Sequence, residues 1–141
     1  MRTTLETYLT ASGCTKIFYD SPVIANILTD EAGPDDIIAV IQEFDTMTLE
    51  PSGSGLIEHY TPKIDILKQC EPERFATNNE TTITRLKFIT KVFILILMRS
   101  GEFQKIGSVP MTRVNEKKYD ANVIGWTLSL DLKLTEQSKC D

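Results

Sequence analysis

One histidine, His59, occurs in the whole chain. That excludes any metal site built on two imidazoles and leaves a single imidazole base, which lies beside Glu58 and Tyr60 with no recognisable catalytic neighbours. Cysteine is nearly as scarce. Cys14, Cys70 and Cys140 are odd in number and far apart. One disulfide is feasible on paper, but the pattern reads as free thiols in a reducing compartment. A Cys–His pair with His59 has no local signature. There is no long apolar run. The longest, Val92 to Met98, spans seven residues, whereas a bilayer needs about 20. The opening MRTTLETYLT has no signal-peptide core, so synthesis and folding in a cytoplasm are expected. Basic excess is missing too. Fifteen Lys and Arg against 20 Asp and Glu give a net charge of -5, which disfavours a phosphate-gripping role.

Motifs for chemistry are equally thin. The acidic pairs Glu43 with Asp45 and Glu71 with Glu73 read as solvated. They lack the ligand spacing of a calcium loop. Gly53-Ser54-Gly55 echoes a phosphate loop without its lysine, its hydroxyl end or its following helix. Nothing here calls for a cofactor or metal, and the chain does not read as an enzyme.

What is present is patterned structure. The 141 residues suit one domain without disulfide or metal staples. Thr3 and Glu6 have capping-box spacing ahead of a Leu5, Tyr8, Leu9 stripe, with Gly13 as the stop. Ile17 to Tyr19 is a short strand, Val23 to Leu28 is ambiguous, and Glu31 to Asp35 is loop chemistry. Ile37 to Phe44 and Leu56 to Leu67 read as strands of a hairpin, the second with Pro62 at an edge or bulge. Its tip, Pro51-Ser52-Gly53-Ser54-Gly55, is the most flexible stretch. Thr77 with Glu80 starts a long helix that runs to about Ser100 and is closed by Gly101. Its second half is apolar all round, so one side can rest on the sheet and the other needs the first helix or another subunit; because the first helix is short, Phe93 and Leu97 are taken as contacts with a neighbouring subunit. Phe103 to Ile106 and Val109 to Val114 form an extended pair.

From Asn122 to Leu134 the chain alternates. Asn122, Ile124, Trp126, Leu128, Leu130, Leu132 and Leu134 share one face, while Val123, Gly125, Thr127, Ser129, Asp131 and Lys133 share the other. Trp126 is read as core. Such a strand would reach about 40 Å, so it must bend strongly or pair with a neighbouring subunit. Residues 136–141 read as a frayed tail. The order of elements gives an α+β domain over residues 1–141, with a short and a long helix on a curved, mostly antiparallel sheet. Arg113, Lys117 and Lys118 form a small basic group, and Arg85, Lys87 and Lys91 another. Both are read as solvated or paired with acids of a neighbouring subunit.

The helix Thr77–Ser100, Gly101-Glu102-Phe103, the extended Pro110–Val114 and the closing Asn122–Leu132 together resemble the tail terminator and tail-completion proteins of tailed bacteriophages. The resemblance lies in the order and pattern of elements across most of the chain. It implies a virion protein, assembled in the host cytoplasm as a hexameric or dodecameric ring at the tail end or head–tail joint. Its partners would be copies of itself and tail-tube, neck or portal-side proteins. It would hold no cofactor and touch no membrane. The loop Glu50–Gly55 and the final strand would be contact elements. DNA would pass an acidic lumen without sticking, because like charges repel. The alternative reading is a small cytoplasmic adaptor that accepts a partner strand at a sheet edge.

Overall fold

A computed structural model describes residues 2–19, 33, 35–42, 46–53, 55–69, 76–114 and 123–134. The fold is α+β. Helix α1 (Arg2–Ser12) precedes β1 (Lys16–Tyr19), β2 (Ile37–Gln42), β3 (Met47–Ser52), β4 (Gly55–Tyr60) and β5 (Lys63–Gln69). The long helix α2 (Ala76–Arg99) is followed by β6 (Met111–Arg113), β7 (Val123–Ser129) and β8 (Leu132–Lys133). A five-stranded sheet has the order β1-β2-β5-β7-β6, and a three-stranded sheet the order β3-β4-β8. Among the described strands only the β1–β2 pair is parallel.

The stripe foreseen on α1 buries Leu5 and Leu9 completely. The chain leaves this helix through Gly13, whose φ of 122° suits glycine, and the Cys14 N–H bonds back to the Leu9 carbonyl at 3.1 Å. The expected capping box is not used. The helix already includes Arg2, and the Glu6 carboxylate accepts from the Tyr19 hydroxyl instead. Cys14 is free and buried, and that burial pushes its thiol up to about 11. Cys70 and Cys140 lie outside the described residues.

Both faces of the five-stranded sheet are covered at its centre, which explains why β2 is an unbroken apolar run. On one face Ile37, Ala39, Ile41, Ile64, Ile66 and Leu128 meet Leu5 and Leu9 of α1 and Leu86, Ile89, Phe93 and Leu97 of α2. On the other, Ile38, Val40, Val114 and Val123 cluster. This second core corrects the expected polar face of the last strand, because Val123 is fully buried. Asp65 is also fully buried there. It accepts from the Thr127 hydroxyl at 2.6 Å and the Gln42 amide at 3.0 Å, which offsets the loss of water.

The 13-residue alternation is not one strand. β7 ends at Ser129, and β8 begins at Leu132 in the other sheet. The segment Leu56–Leu67 is divided in the same way, β4 and β5 lying either side of Thr61-Pro62. The two breaks are bonded to each other, the Leu130 N–H donating to the Pro62 carbonyl at 3.0 Å. Strands that change sheets form a corner in this way. Pro62 therefore sits at a corner rather than at an edge. The extended pair expected at 103–114 does not form. Phe103 bridges Leu134 instead, and β6 pairs with β7.

Most of the expected loop at 50–55 is strand. Pro51 and Ser52 close β3, and Gly55 opens β4 with Ser52 opposite it. That register leaves a two-residue connection whose first member, Gly53, has φ 56°. Ser54 lies outside the described residues, as do Val23 to Leu28 and the tail 136–141. Pro51 is tolerated because β3 is an edge strand.

Two residues test this architecture. A Cβ on Gly125 would lie 1.8 Å from the Ile66 carbonyl oxygen, whereas one on Gly107 would meet nothing within 4 Å. Gly125→Ala should cost about 3 kcal/mol in urea unfolding, while Gly107→Ala should stay within about 0.5 kcal/mol. Asp36 is the second. Its carboxylate accepts from the Gly33 N–H at 2.8 Å and the Thr15 hydroxyl at 3.0 Å. The Gly33 N–H first, and then Thr15, hold this carboxyl below its ordinary value. A depressed folded pKa stabilises above the unfolded carboxylate pKa, and the effect is lost as pH falls through the folded one. Asp36→Asn should therefore flatten the acid limb of the stability–pH curve, measured by thermal unfolding from neutral pH downward.

Candidate functional site: a helix face left uncovered

At 100° per residue, α2 turns Ile83, Leu86, Thr90, Phe93 and Leu97 toward the sheet, and all five are buried. Phe88, Val92 and Leu95 then fall on the opposite side. Phe88 is 66% exposed and Leu95 43%, and Met98 at the flank is 57% exposed. Val92 and Ile96 are half-buried. With Tyr8 of α1, Arg99 and Ser100 they line an open groove of about 490 Å³ between the helices.

The residues expected to meet a neighbour are therefore not the ones that this helix exposes. Phe93 and Leu97 are not on a surface. They are closed into the chain's own core by the sheet and α1, at 0% and 1% exposure. The residues that do emerge are Phe88, which precedes that apolar run, and Leu95 within it, and the burial of Leu86, Phe93 and Leu97 fixes the helical phase that turns them outward.

Arg99 brings a cation to the groove lining, and exposed Lys91 lies one turn before Leu95. Between Glu80 and Glu102 the sequence has Arg85, Lys87, Lys91 and Arg99 and no carboxylate. Lys87 lies 5.3 Å over the Trp126 ring, whose indole N–H donates to the Ile83 carbonyl at 3.1 Å. Trp126 is half-buried against the main core, so it ties α2 to β7 rather than offering a stacking platform. Burial, and then the Glu102 carboxylate, hold the Tyr8 phenol above its ordinary value at the groove's other end.

Arg113 is also accounted for within the chain. Its guanidinium meets Glu80 at 3.3 Å across β6 and α2, not an acid of another subunit. Both partners are exposed, so the pair contributes little. Lys117 and Lys118 lie outside the described residues.

A second exposed apolar set occupies the β3–β4 hairpin, where Met47, Leu49, Pro51 and Leu56 share a face with Glu58. Pro51 and Gly53 are exposed and Ser52 and Gly55 half-buried, so the tip foreseen as a contact element stands at the surface as an ordered strand pair. Ile57, on the reverse side, is buried. There Glu50 holds Lys133 at 2.9 Å, which raises the lysine's pKa, and His59 meets Asp131. No nucleophile accompanies that His–Asp pair in the contacts of the described residues. Nor does any group of His, Cys, Asp and Glu among them suit a metal ion. No helix among them is long and apolar enough to cross a membrane.

Substitution separates surface from core. Phe93→Ala should destabilise by about 3–5 kcal/mol, whereas Leu95→Ser and Phe88→Ser should stay within about 0.5 kcal/mol, read as urea midpoints at constant slope. Compared with known protein families and with curated proteins, the chain matches none.

Proposed function

We propose that the chain is a structural subunit of a tailed-phage virion. Copies form a ring at the end of the tail tube or at the head–tail joint, where the ring ends tube growth and receives the next component. One observation carries this reading. The chain closes its own core and still leaves the aromatic and aliphatic outer face of α2 in water, and exposed patches of this kind mark contact surfaces. The bent sheet, with a hairpin standing beyond its corner, supports it as a shape that offers a neighbour both a strand edge and a helix face. The net charge of -5 suits a lumen that DNA traverses without adhering. In this role the protein is assembled in the host cytoplasm, carries no catalytic site and needs no cofactor.

The β3 edge favours a second reading. Among the described residues no strand pairs with its outer side, and it carries exposed Met47 and Leu49, so a cytoplasmic adaptor would capture a partner's strand there.

Light scattering on the purified protein, alone and with candidate tail-tube proteins, tests the two. The ring reading expects a closed oligomer, alone or on tube ends, and tubes that no longer elongate. A monomer indifferent to tubes overturns it and leaves the adaptor.

A further inference from the structure

We propose that the β3–β4 hairpin of one copy docks by its Met47, Leu49 and Leu56 face onto the outer face of α2 of the next copy, head to tail. The contact rests on the assembly reading above and names its two surfaces.

Each surface is apolar, exposed and separate from the other. On the hairpin, Leu49 stands opposite Glu58, and Pro51 opposite Leu56. Cross-strand neighbours of this kind lie about 5 Å apart. On α2, Phe88, Val92 and Leu95 succeed one another at four and three residues, one turn apart, or about 5.4 Å. Two rows of apolar side chains with such similar spacing can interdigitate.

Charge selects this pairing over the symmetric ones. The α2 face carries Lys91 and Arg99 beside Leu95, with no carboxylate along the helix from Thr81 to Ser100. Two such faces packed about a twofold axis would bring cations against cations. The hairpin face carries no cation from Met47 to Tyr60, and Glu58 sits among its apolar residues. Hairpin on helix therefore places a carboxylate against Lys91 and Arg99, in a molecule that is otherwise acidic. Like-charge contacts suppress wrong partners, and complementary ones fix register. Because the surfaces differ, the contact is heterologous. It closes into a ring when the rotation per subunit divides a full turn, and otherwise runs on as a fibre.

The test uses full-length Leu49→Asp, which spoils the hairpin, and Leu95→Asp, which spoils the helix face. Both side chains are exposed, and circular dichroism checks that each variant is folded. In light scattering the unaltered protein should form an oligomer, and each variant alone should be monomeric. Their equimolar mixture should give a 1:1 dimer that grows no further, because it holds one intact hairpin and one intact helix face that fit each other. A second pair guards against misfolding. Glu58→Lys should weaken association at least about tenfold, and mixing it with Lys91→Glu/Arg99→Glu should restore it.

A mixture that stays monomeric overturns the proposal. So does a variant that still oligomerises alone. If the unaltered protein oligomerises and neither variant changes that, this contact is wrong and the ring reading stands. If the unaltered protein stays monomeric at the highest attainable concentration, the contact is overturned. Indifference to tubes then removes the ring reading as well.

Discussion

The bond from the Leu130 N–H to the Pro62 carbonyl holds together the feature on which the rest of the molecule depends. Proline has no N–H to offer a ladder, so a strand that reaches Pro62 must interrupt its pairing. The neighbouring strand interrupts at Leu130-Asp131, and the two interruptions satisfy each other. Both chains then continue into a second sheet, β4 beside β8. A bend made by one strand alone would strand backbone groups, whereas one made by two adjacent strands at the same level keeps nearly all of them bonded. Leu130 and Leu132 are buried at 3% and 0%, so the corner is filled with side chains as well as bonded.

The corner also explains where cover runs out. Helix α2 packs on β7 and β5, and α1 packs on α2. All of that covers the five-stranded sheet. Neither helix packs broadly on β3, β4 or β8, so Met47, Leu49 and Leu56 stay in water although their neighbours in the ladder are well paired. The outer face of α2 is left over for a different reason. One helix cannot bury a stripe wider than the sheet and its one short companion can reach. Ile83, Leu86, Phe93 and Leu97 use up that reach. A sequence that keeps Phe88 and Leu95 exposed at a solubility cost is more economically explained by a contact than by chance.

Much of this was legible in the sequence, and the misses have definite causes. Helix α2 and its Gly101 stop, β1 and β2 follow from apolar periodicity and a left-handed glycine, with φ 75° at Gly101. The last segment is expected to bend strongly or to pair with a neighbouring subunit, and it bends, β7 and β8 lying in different sheets; the break itself is hidden because both keep the same alternation through it, and Leu130-Asp131 carries no glycine or proline to mark it. Its partner break is marked by Pro62, which reads from the sequence as an edge or a bulge. Strand β3 was hidden by Pro51-Ser52-Gly53-Ser54-Gly55, where composition says loop. On an edge strand those residues are permitted, and only Gly53-Ser54 is needed for the connection. Phe93 and Leu97 were assigned to a neighbour because Val92 to Met98 is apolar all round. An all-apolar run conceals its phase, and the inward side is fixed only by distant partners such as Ile66 and Leu128. The buried Asp65 gave no signal at all, since its partners Gln42 and Thr127 lie on other strands.

The corner therefore connects the private and the public halves of the molecule. Inside it, two strands give up continuity to satisfy each other's backbone, and the five-stranded sheet gains a complete core with α1 and α2. Beyond it, the same strands continue as β4 and β8, and β4 carries the edge strand β3, whose Met47 and Leu49 stay exposed. A chain that stopped at the corner would have no exposed hairpin. Helices α1 and α2 both cover the five-stranded sheet, so the hairpin's Met47, Leu49 and Leu56 and the outer face of α2 stay exposed. Their opposite charges mean that each is best covered by the other. In the proposed contact a second copy supplies that cover, and the same pairing repeats from copy to copy.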